Sequence, residues 1–203
     1  LHSRVHSFPT RRSSDLPPTV AIAFHQGSIA AGQTAVLDDL IERIEAGGAL
    51  AWPFYSPVMA PDAMRGMLTI DGQPVADAIV NAQITLNPEG RRKEFEALGL
   101  PVIQAMGWRR GSEQQWAADP HGIPIVDVPF YLAQAEYAGI FDIQIAMAIH
   151  PGDEQLVPIE PQAAAIAAKA LNLVELRRKP APDKRVAIMF WNYPAGEKNL
   201  SAS

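Results

Sequence analysis

Of the 203 residues, 48% are hydrophobic and 19% charged, which is enough apolar surface for one sizeable core or two small ones. The formal net charge of −5, without a basic stripe, excludes a polyanion-binding protein, so we expect no nucleic-acid partner. Cysteine is absent, and no apolar run approaches the roughly 18–20 residues that cross a bilayer, so we expect a cytoplasmic protein with no membrane partner.

Residues 1–16 differ from the rest of the chain. They hold three arginines and four serines, show no periodicity and lack the apolar region of a signal peptide. Their sequence resembles translated sequencing-adapter read-through, and a disordered native tail is the alternative. The first residue is not methionine and the last residues fall inside a motif, so we expect an internal fragment of a longer protein.

Short apolar runs then alternate with amphipathic stretches. The predicted strands are 19–24, 50–55, 77–82, 101–105 and 122–128, and the predicted helices are 34–45, a segment after Pro61, 91–98 and 161–177. Pro53 favours an edge position for the second strand. Residues 130–149 are apolar without a clean period. This β–α rhythm predicts an α/β fold with a parallel sheet of Rossmann or flavodoxin type and helices on both faces.

A proline-containing linker at 180–183 is the best domain boundary in the chain. After it, the segment VAIMF at 186–190 repeats the VAIAF segment at 20–24, with four of five positions identical. We therefore expect one α/β domain at 17–179 and the first strand and loop of a second, truncated α/β domain at 184–203. The alternative is that any two buried strands look alike.

Three features are candidates for chemistry before the tail. The segment from Gly27 to Thr34 matches a phosphate-binding loop except that Gln33 replaces its lysine, which favours a plain β–α turn or a loop for another anion, such as a carboxylate. His25 ends the first strand, where open α/β sheets place ligands. Glu136 is a carboxylate within an apolar stretch, so it must be paired, exposed or functional. No histidine pair has metal-ligand spacing, so we assign no metal ligands.

The tail is the most specific segment. A buried strand there leads into a loop that combines Trp191, Asn192, Tyr193, Lys198 and Asn199. So dense a polar and aromatic loop at the carboxyl end of a strand predicts a binding loop, and the alternative is a solvated loop.

Three segments carry a resemblance to a known family. Residues 186–200, with VAIMFWNYP followed by GEKNL, resemble the strand and loop of cobaltochelatase large subunits. Residues 100–105 and 136–139 are similar to two more family segments, although Ala135 stands where the family usually has proline. Magnesium chelatase large subunits resemble the same region but carry phenylalanine, prolines and a Lys-Gly-Asn run, so Trp-Asn-Tyr-Pro favours the cobalt branch.

The resemblance implies a fragment of the large, corrinoid-binding subunit of an ATP-dependent cobaltochelatase, a ligase that forms nitrogen–metal bonds in aerobic cobalamin biosynthesis. It implies insertion of Co²⁺, a substrate, into hydrogenobyrinic acid a,c-diamide, with ATP hydrolysed in the presence of Mg²⁺ by two smaller AAA+ partner subunits. The substrate-binding candidates that it implies are His25, Glu136, Trp191, Asn192, Tyr193, Lys198 and Asn199. The family's His-Gly-rich segment lies beyond Ser203, so we expect the catalytic residues there and an inactive isolated fragment.

Three alternatives stay open from the sequence. One is a magnesium chelatase large subunit that acts on protoporphyrin IX. Another is a free-standing α/β module that binds a small anionic ligand. The last is a degenerate phosphate-loop or flavodoxin-like enzyme.

Overall fold

A computed structural model describes residues 16–60 and 62–189 of the chain. The strands are β1 (Thr19–Phe24), β2 (Leu50–Tyr55), β3 (Thr69–Ile70), β4 (Gln73–Pro74), β5 (Ala78–Asn81), β6 (Val102–Trp108), β7 (Phe141–Ile149) and β8 (Leu156–Pro158). The α-helices are α1 (Gln26–Ala30), α2 (Ala35–Ala46), α3 (Ala63–Leu68), α4 (Pro88–Leu98), α5 (Glu113–Ala118), α6 (Gln134–Tyr137) and α7 (Glu160–Arg178). A π-helix spans Val128–Ala133 and a 3₁₀ turn spans Ala181–Asp183.

Six strands form one sheet in the order β2-β1-β5-β6-β7-β8, and β3 pairs with β4 in a separate hairpin. The pairs from β2 to β7 are parallel, and β8 is antiparallel to β7. This arrangement confirms the predicted parallel α/β fold of Rossmann or flavodoxin type. The next two strands of this sheet in sequence, β2 and β5, lie on opposite sides of β1, so the strand order reverses there. Open α/β sheets bind ligands at such a reversal, beyond the carboxyl ends of the strands.

The position of β2 confirms the expectation drawn from Pro53. Among the described residues β2 pairs with β1 alone and is therefore an edge strand. Proline has no N–H to donate, which an edge strand tolerates because one side of its ladder is free. The same edge position leaves Trp52 and Tyr55 exposed.

Helices cover both faces of the sheet. Alternate side chains of β1 point to opposite faces, as the period of a strand requires. Val20 and Ile22 belong to a core formed with α2 and α7, whereas Ala21 and Ala23 belong to a core formed with α3, α4 and α6. The chain thus buries two apolar layers, one on each side of a nearly continuous sheet of buried strands.

The α2 helix shows why this sequence forms its elements. Val36, Leu40 and Ile44 repeat every four residues and are all buried against β1 and α7. Burial of a side chain of this size contributes roughly 1.5–3 kcal/mol, so this stripe fixes the helix on the sheet. Gly47 ends the helix, as the sequence predicts.

A buried ion pair closes the amino-terminal edge of the sheet. Asp77, which directly precedes β5, is 5% exposed. Its Oδ2 accepts hydrogen bonds from the backbone N–H of Thr19 at 3.0 Å and from Nε of Arg178 at 2.9 Å. Arg178 also donates to the carbonyl oxygens of Leu16 and Pro17. The end of α7 is thereby tied to the start of β1.

One expectation for the second half of the chain is wrong. Residues 122–128 do not form a strand. Gly122 has a positive φ of 68°, and the backbone N–H of Asp127 donates to the carbonyl oxygen of Pro124 in a tight turn. The apolar residues 130–149 contain three elements: the end of the π-helix, the short α6 and the nine-residue β7. Three different periods in twenty residues leave no clean period to detect, which is why β7 is not predicted.

Residues 184–189 form neither helix nor strand, and Val186 and Met189 are 82% and 95% exposed. The strand predicted at 186–190 therefore has no pairing partner in the described part of the chain. The rest of the expected second domain, 190–203, lies outside the described residues, as do residues 1–15 of the expected tail. Both remain predictions.

Candidate functional site

A cavity of about 260 Å³ opens at the carboxyl edge of the sheet, where β1 and β5 end and α2 begins. We call it the carboxyl-edge cavity. Its apolar wall includes Ile22, Val36, Leu37, Leu40, Met147 and Leu156. Its polar side chains are His25, Ser28, Gln33, Gln83, Arg109 and Tyr131. The cavity therefore lies where the reversal of strand order predicts a ligand.

His25 is held at the mouth of this cavity by a local hydrogen bond. It is the N-cap of α1, and its Nδ1 accepts the backbone N–H of Gly27 at 3.0 Å. In the neutral ring one nitrogen accepts and the other carries the proton, so Nε2 is the donor. The ring is exposed, and Nε2 has no partner among the described residues, so it can donate to a ligand.

Gln83 is the most unusual residue of the cavity. The residue is only 2% exposed, yet neither Nε2 nor Oε1 of its side chain has a hydrogen-bond partner among the described residues. Its backbone carbonyl accepts from Nδ2 of Asn81 at 3.1 Å and from Nε2 of Gln104 at 2.9 Å. The backbone of Gln83 is thus held firmly while its amide is unsatisfied, and an unsatisfied buried amide costs about 1–3 kcal/mol.

Other polar atoms without a hydrogen-bond partner among the described residues lie at the same edge. These atoms are Oγ of Ser56, just after β2, Oδ1 of Asn81, at the end of β5, Oγ1 of Thr85, shortly after β5, and Nε1 of Trp108, at the end of β6. All four side chains are buried. Buried polar groups in folded proteins are nearly always hydrogen-bonded, so this concentration distinguishes the carboxyl edge from the rest of the described chain.

Arg109 and Tyr131 complete the polar lining. Arg109 directly follows β6, and Tyr131 comes from the π-helix, a form of helix that is frequent at functional sites. Burial raises the pKa of Tyr131, so its hydroxyl remains a protonated donor at neutral pH. Although the chain has 22 acidic residues, none lines the described cavity, and one cation does.

The start of α2 also borders the cavity through Gln33, Val36 and Leu37. Thr34 is the N-cap but makes no side-chain hydrogen bond to the first turn. The first backbone N–H groups of a helix have no partner within it and carry a partial positive charge. This end of α2 therefore adds positive potential to the cavity. The nearest acidic residue of that turn, Asp38, is exposed and lies outside the lining.

The segment from Gly27 to Thr34 does not form a phosphate-binding loop. Residues 26–30 are the short helix α1, and Gly32 follows it in the left-handed conformation with a φ of 65°. Ser28 and Gln33 nevertheless contribute side chains to the carboxyl-edge cavity.

The structure separates the two candidate site residues that it describes. His25 lines the carboxyl-edge cavity, on the side of the sheet covered by α2. Glu136 is exposed on α6, which packs on α4 over the opposite face. Their roles in substrate binding remain predictions. The other candidates lie outside the described residues: Trp191, Asn192, Tyr193, Lys198 and Asn199.

Sequence reasoning misses Gln83, Arg109 and Tyr131. The predicted fourth strand ends at residue 105, three residues before β6 ends, so Arg109 is not placed at a strand end. Gln83 follows the predicted third strand, and its position could have been a signal, but an amide alone indicates no chemistry. Tyr131 lies in the π-helix, whose period no sequence template covers.

Within residues 16–60 and 62–189, no helix has the length and apolar content needed to cross a membrane. The same residues contain no group of three or more histidine, cysteine, aspartate or glutamate side chains arranged to hold a metal ion.

Comparison with known proteins gives consistent results. The CobN/Magnesium Chelatase family model matches residues 2–203. An aerobic cobaltochelatase subunit CobN from a Sinorhizobium species is 28% identical over 202 residues, which cover 91% of this chain and 16% of that protein. An uncharacterized protein from Methanocaldococcus jannaschii is 24% identical over 211 residues, covering 92% of this chain and 17% of that protein.

A solved structure of a related protein has a similar fold. The catalytic subunit of cobaltochelatase from Mycobacterium tuberculosis superposes with a TM-score of 0.68 and 23% identity, over 85% of this chain and 16% of that chain. At this identity the likeness supports the fold alone. The chain spans 16–17% of the curated relatives it matches.

Proposed function

The chain belongs to the CobN/magnesium chelatase family, and from that premise we propose that it is part of the large subunit of a cobaltochelatase. The complete enzyme would insert Co²⁺, a substrate, into hydrogenobyrinic acid a,c-diamide, forming nitrogen–metal bonds on the aerobic route to cobalamin in the cytoplasm. Two smaller AAA+ partner subunits would hydrolyse ATP with Mg²⁺. This chain would contribute part of the corrinoid-binding surface.

The observation that carries this proposal is the family match over residues 2–203. The curated relative from Sinorhizobium, named as an aerobic cobaltochelatase subunit, supports the cobalt branch. Because the chain spans 16% of that relative, the activity, substrates and partners belong to the whole protein and enter here as proposals.

The chemistry of the carboxyl-edge cavity suits this assignment. A corrinoid carries carboxylate and carboxamide arms, whose oxygen atoms accept hydrogen bonds. Arg109, His25 and Tyr131 offer donors beside an apolar wall, the usual composition of a small-molecule site. In the tail loop, Lys198 could pair with a carboxylate, and Trp191 or Tyr193 could pack on the ring.

The magnesium branch is the second candidate, because the family model covers both. It would replace the corrinoid by protoporphyrin IX and Co²⁺ by Mg²⁺. The Trp-Asn-Tyr-Pro segment at 191–194 favours the cobalt branch, since magnesium chelatase large subunits differ there.

Quenching of tryptophan fluorescence in the full-length polypeptide tests the proposal. Hydrogenobyrinic acid a,c-diamide should quench it saturably, and protoporphyrin IX should bind at least tenfold more weakly. Lys198→Ala should weaken corrinoid binding by about tenfold, the effect of one charge-assisted hydrogen bond. Lys184→Ala, which removes an exposed lysine before the loop, serves as the matched control and should change nothing. Preferential binding of protoporphyrin IX would transfer the assignment to the magnesium branch, and binding of neither would contradict it.

A further inference from the structure

The side chains that line the carboxyl-edge cavity indicate the chemistry of its ligand independently of the family assignment. Its six polar side chains can all donate hydrogen bonds, and no carboxylate stands among the described lining residues. Arg109 can only donate, and the protonated Tyr131 is a donor across neutral pH. A lining composed in this way favours a ligand rich in acceptor oxygens.

Gln83 supplies an independent indication of a ligand. The residue is 98% buried and is one of those that line the cavity, and neither atom of its amide has a partner among the described residues. The neighbouring Gln104 is 0% exposed, and its amide is bonded on both sides, to Asn81 and to the carbonyl of Gln83. Burial alone therefore does not explain why the Gln83 amide is unpaired. A polar ligand group in the cavity would supply the missing hydrogen bonds.

The volume and the apolar wall set the size and shape of that ligand. About 260 Å³ corresponds to roughly nine water molecules at liquid density. A substituted corrinoid is much larger than this cavity. A short aliphatic arm fits beside Val36, Leu40 and Leu156, with its polar end at the donors.

We propose that the carboxyl-edge cavity binds a carboxylate carried on a short aliphatic arm, with Arg109 and Gln83 as its recognition residues. The apolar arm lies against α2, and the carboxylate lies among Arg109, the Gln83 amide and the start of α2. The same chemistry has two sources: a peripheral acid arm of the proposed macrocyclic substrate, or a free short-chain organic acid. The proposal concerns this cavity and stands whether or not the cobalt assignment does.

A titration of the 203-residue chain with pentanoate, followed by backbone and side-chain amide chemical shifts, tests the proposal. We expect saturable shifts around the cavity with a dissociation constant on the order of 1 mM, which is reasonable for seven heavy atoms. Pentan-1-ol has the same apolar body without the carboxylate and should bind at least tenfold more weakly. Equal binding of the acid and the alcohol, or no saturable shift with pentanoate, would overturn the proposal.

Variants assign the recognition residues. Arg109→Gln should weaken pentanoate binding about tenfold, and Gln83→Met should weaken it severalfold. Arg110→Gln removes the adjacent exposed charge, which does not line the cavity, and should leave the affinity unchanged. If Arg110→Gln weakens binding as much as Arg109→Gln, general charge attraction explains the result and the site is wrong.

A second experiment, with the full-length polypeptide, identifies the source of the carboxylate. If Arg109→Gln weakens corrinoid binding and pentanoate competes with the corrinoid, the arm belongs to the macrocycle. If corrinoid binding is unchanged while pentanoate still binds, the ligand is a free acid. Absence of corrinoid binding together with retained pentanoate binding would contradict the proposed function and leave this site intact.

Discussion

The two edges of the sheet treat buried polar groups in opposite ways. At the amino edge, Asp77 is buried and fully engaged, with Thr19 and Arg178 donating to it at 3.0 and 2.9 Å. At the carboxyl edge, Gln83 is buried more deeply and its amide has no partner among the described residues. Oδ2 of Asp142, at the start of β7, also lacks a hydrogen bond within the described part of the chain, but it is in ion-pair contact with Lys169.

This difference distinguishes residues that stabilise the fold from residues that the fold positions for binding. A satisfied buried group contributes to stability, whereas an unsatisfied one costs stability and is retained at functional sites. The amino edge is therefore structural, and the carboxyl edge is where we place binding. Each of the following changes tests one side of that contrast.

The largest expected effect is at the amino edge. Asp77→Asn removes the charge that faces Arg178 and should lower the free energy of unfolding by about 2–3 kcal/mol, since hydrogen bonds to charged groups are the strong ones. Urea denaturation of the chain measures this change. Glu175→Gln, which disrupts only an exposed pair with Lys179, should leave the midpoint unchanged. Equal stability of the two variants would show that the amino edge is not structural.

The next effect concerns the satisfied glutamine. Gln104→Met keeps the side-chain length but removes the bonds to Asn81 and to the carbonyl of Gln83. Loss of these buried bonds should lower the free energy of unfolding by about 1–2 kcal/mol. An unchanged urea midpoint would contradict the view that this amide network supports the sheet.

Gln83→Met should behave differently although it makes the same chemical change. It removes an amide that has no described partner, so we expect unchanged stability or a gain of up to about 1 kcal/mol. Binding of pentanoate should fall, as at sites where function and stability are traded. A loss of stability as large as that of Gln104→Met would show that the Gln83 amide is structurally engaged.

The smallest expected effect is at Glu136. This exposed side chain lies on α6, away from the carboxyl-edge cavity, so Glu136→Gln should change neither the urea midpoint nor the affinity for pentanoate. Chemical-shift titration of the variant measures the affinity. A severalfold loss would mean that the ligand site extends across both faces of the sheet.

Local patterns in the sequence predict the first half of the fold well. The buried strand β1, the four-residue spacing in α2 and the edge position indicated by Pro53 are all confirmed. Each of these depends on one period or one residue type, so neighbouring sequence is sufficient. The parallel order of the sheet also follows from alternating strands and helices.

The second half and the site depend on information that no local pattern contains. Residues 128–149 combine a π-helix, a short α-helix and a strand, which hides β7. The carboxyl-edge cavity collects Gln33, Gln83, Arg109 and Tyr131 from four separate segments. His25 and the segment from Gly27 to Thr34 could be placed there from the sequence, because they follow a recognisable strand.

The most direct test compares ligand-induced stabilisation in two variants, Asp77→Asn and Gln83→Met. At twenty times its dissociation constant, pentanoate should stabilise the wild-type chain by about 1.8 kcal/mol. We expect Asp77→Asn to start from lower stability and keep this full increment, and Gln83→Met, with its severalfold weaker affinity, to keep its stability and lose about half of the increment. If Gln83→Met retains the full increment, or if Asp77→Asn loses it, the division between a structural edge and a binding edge is wrong.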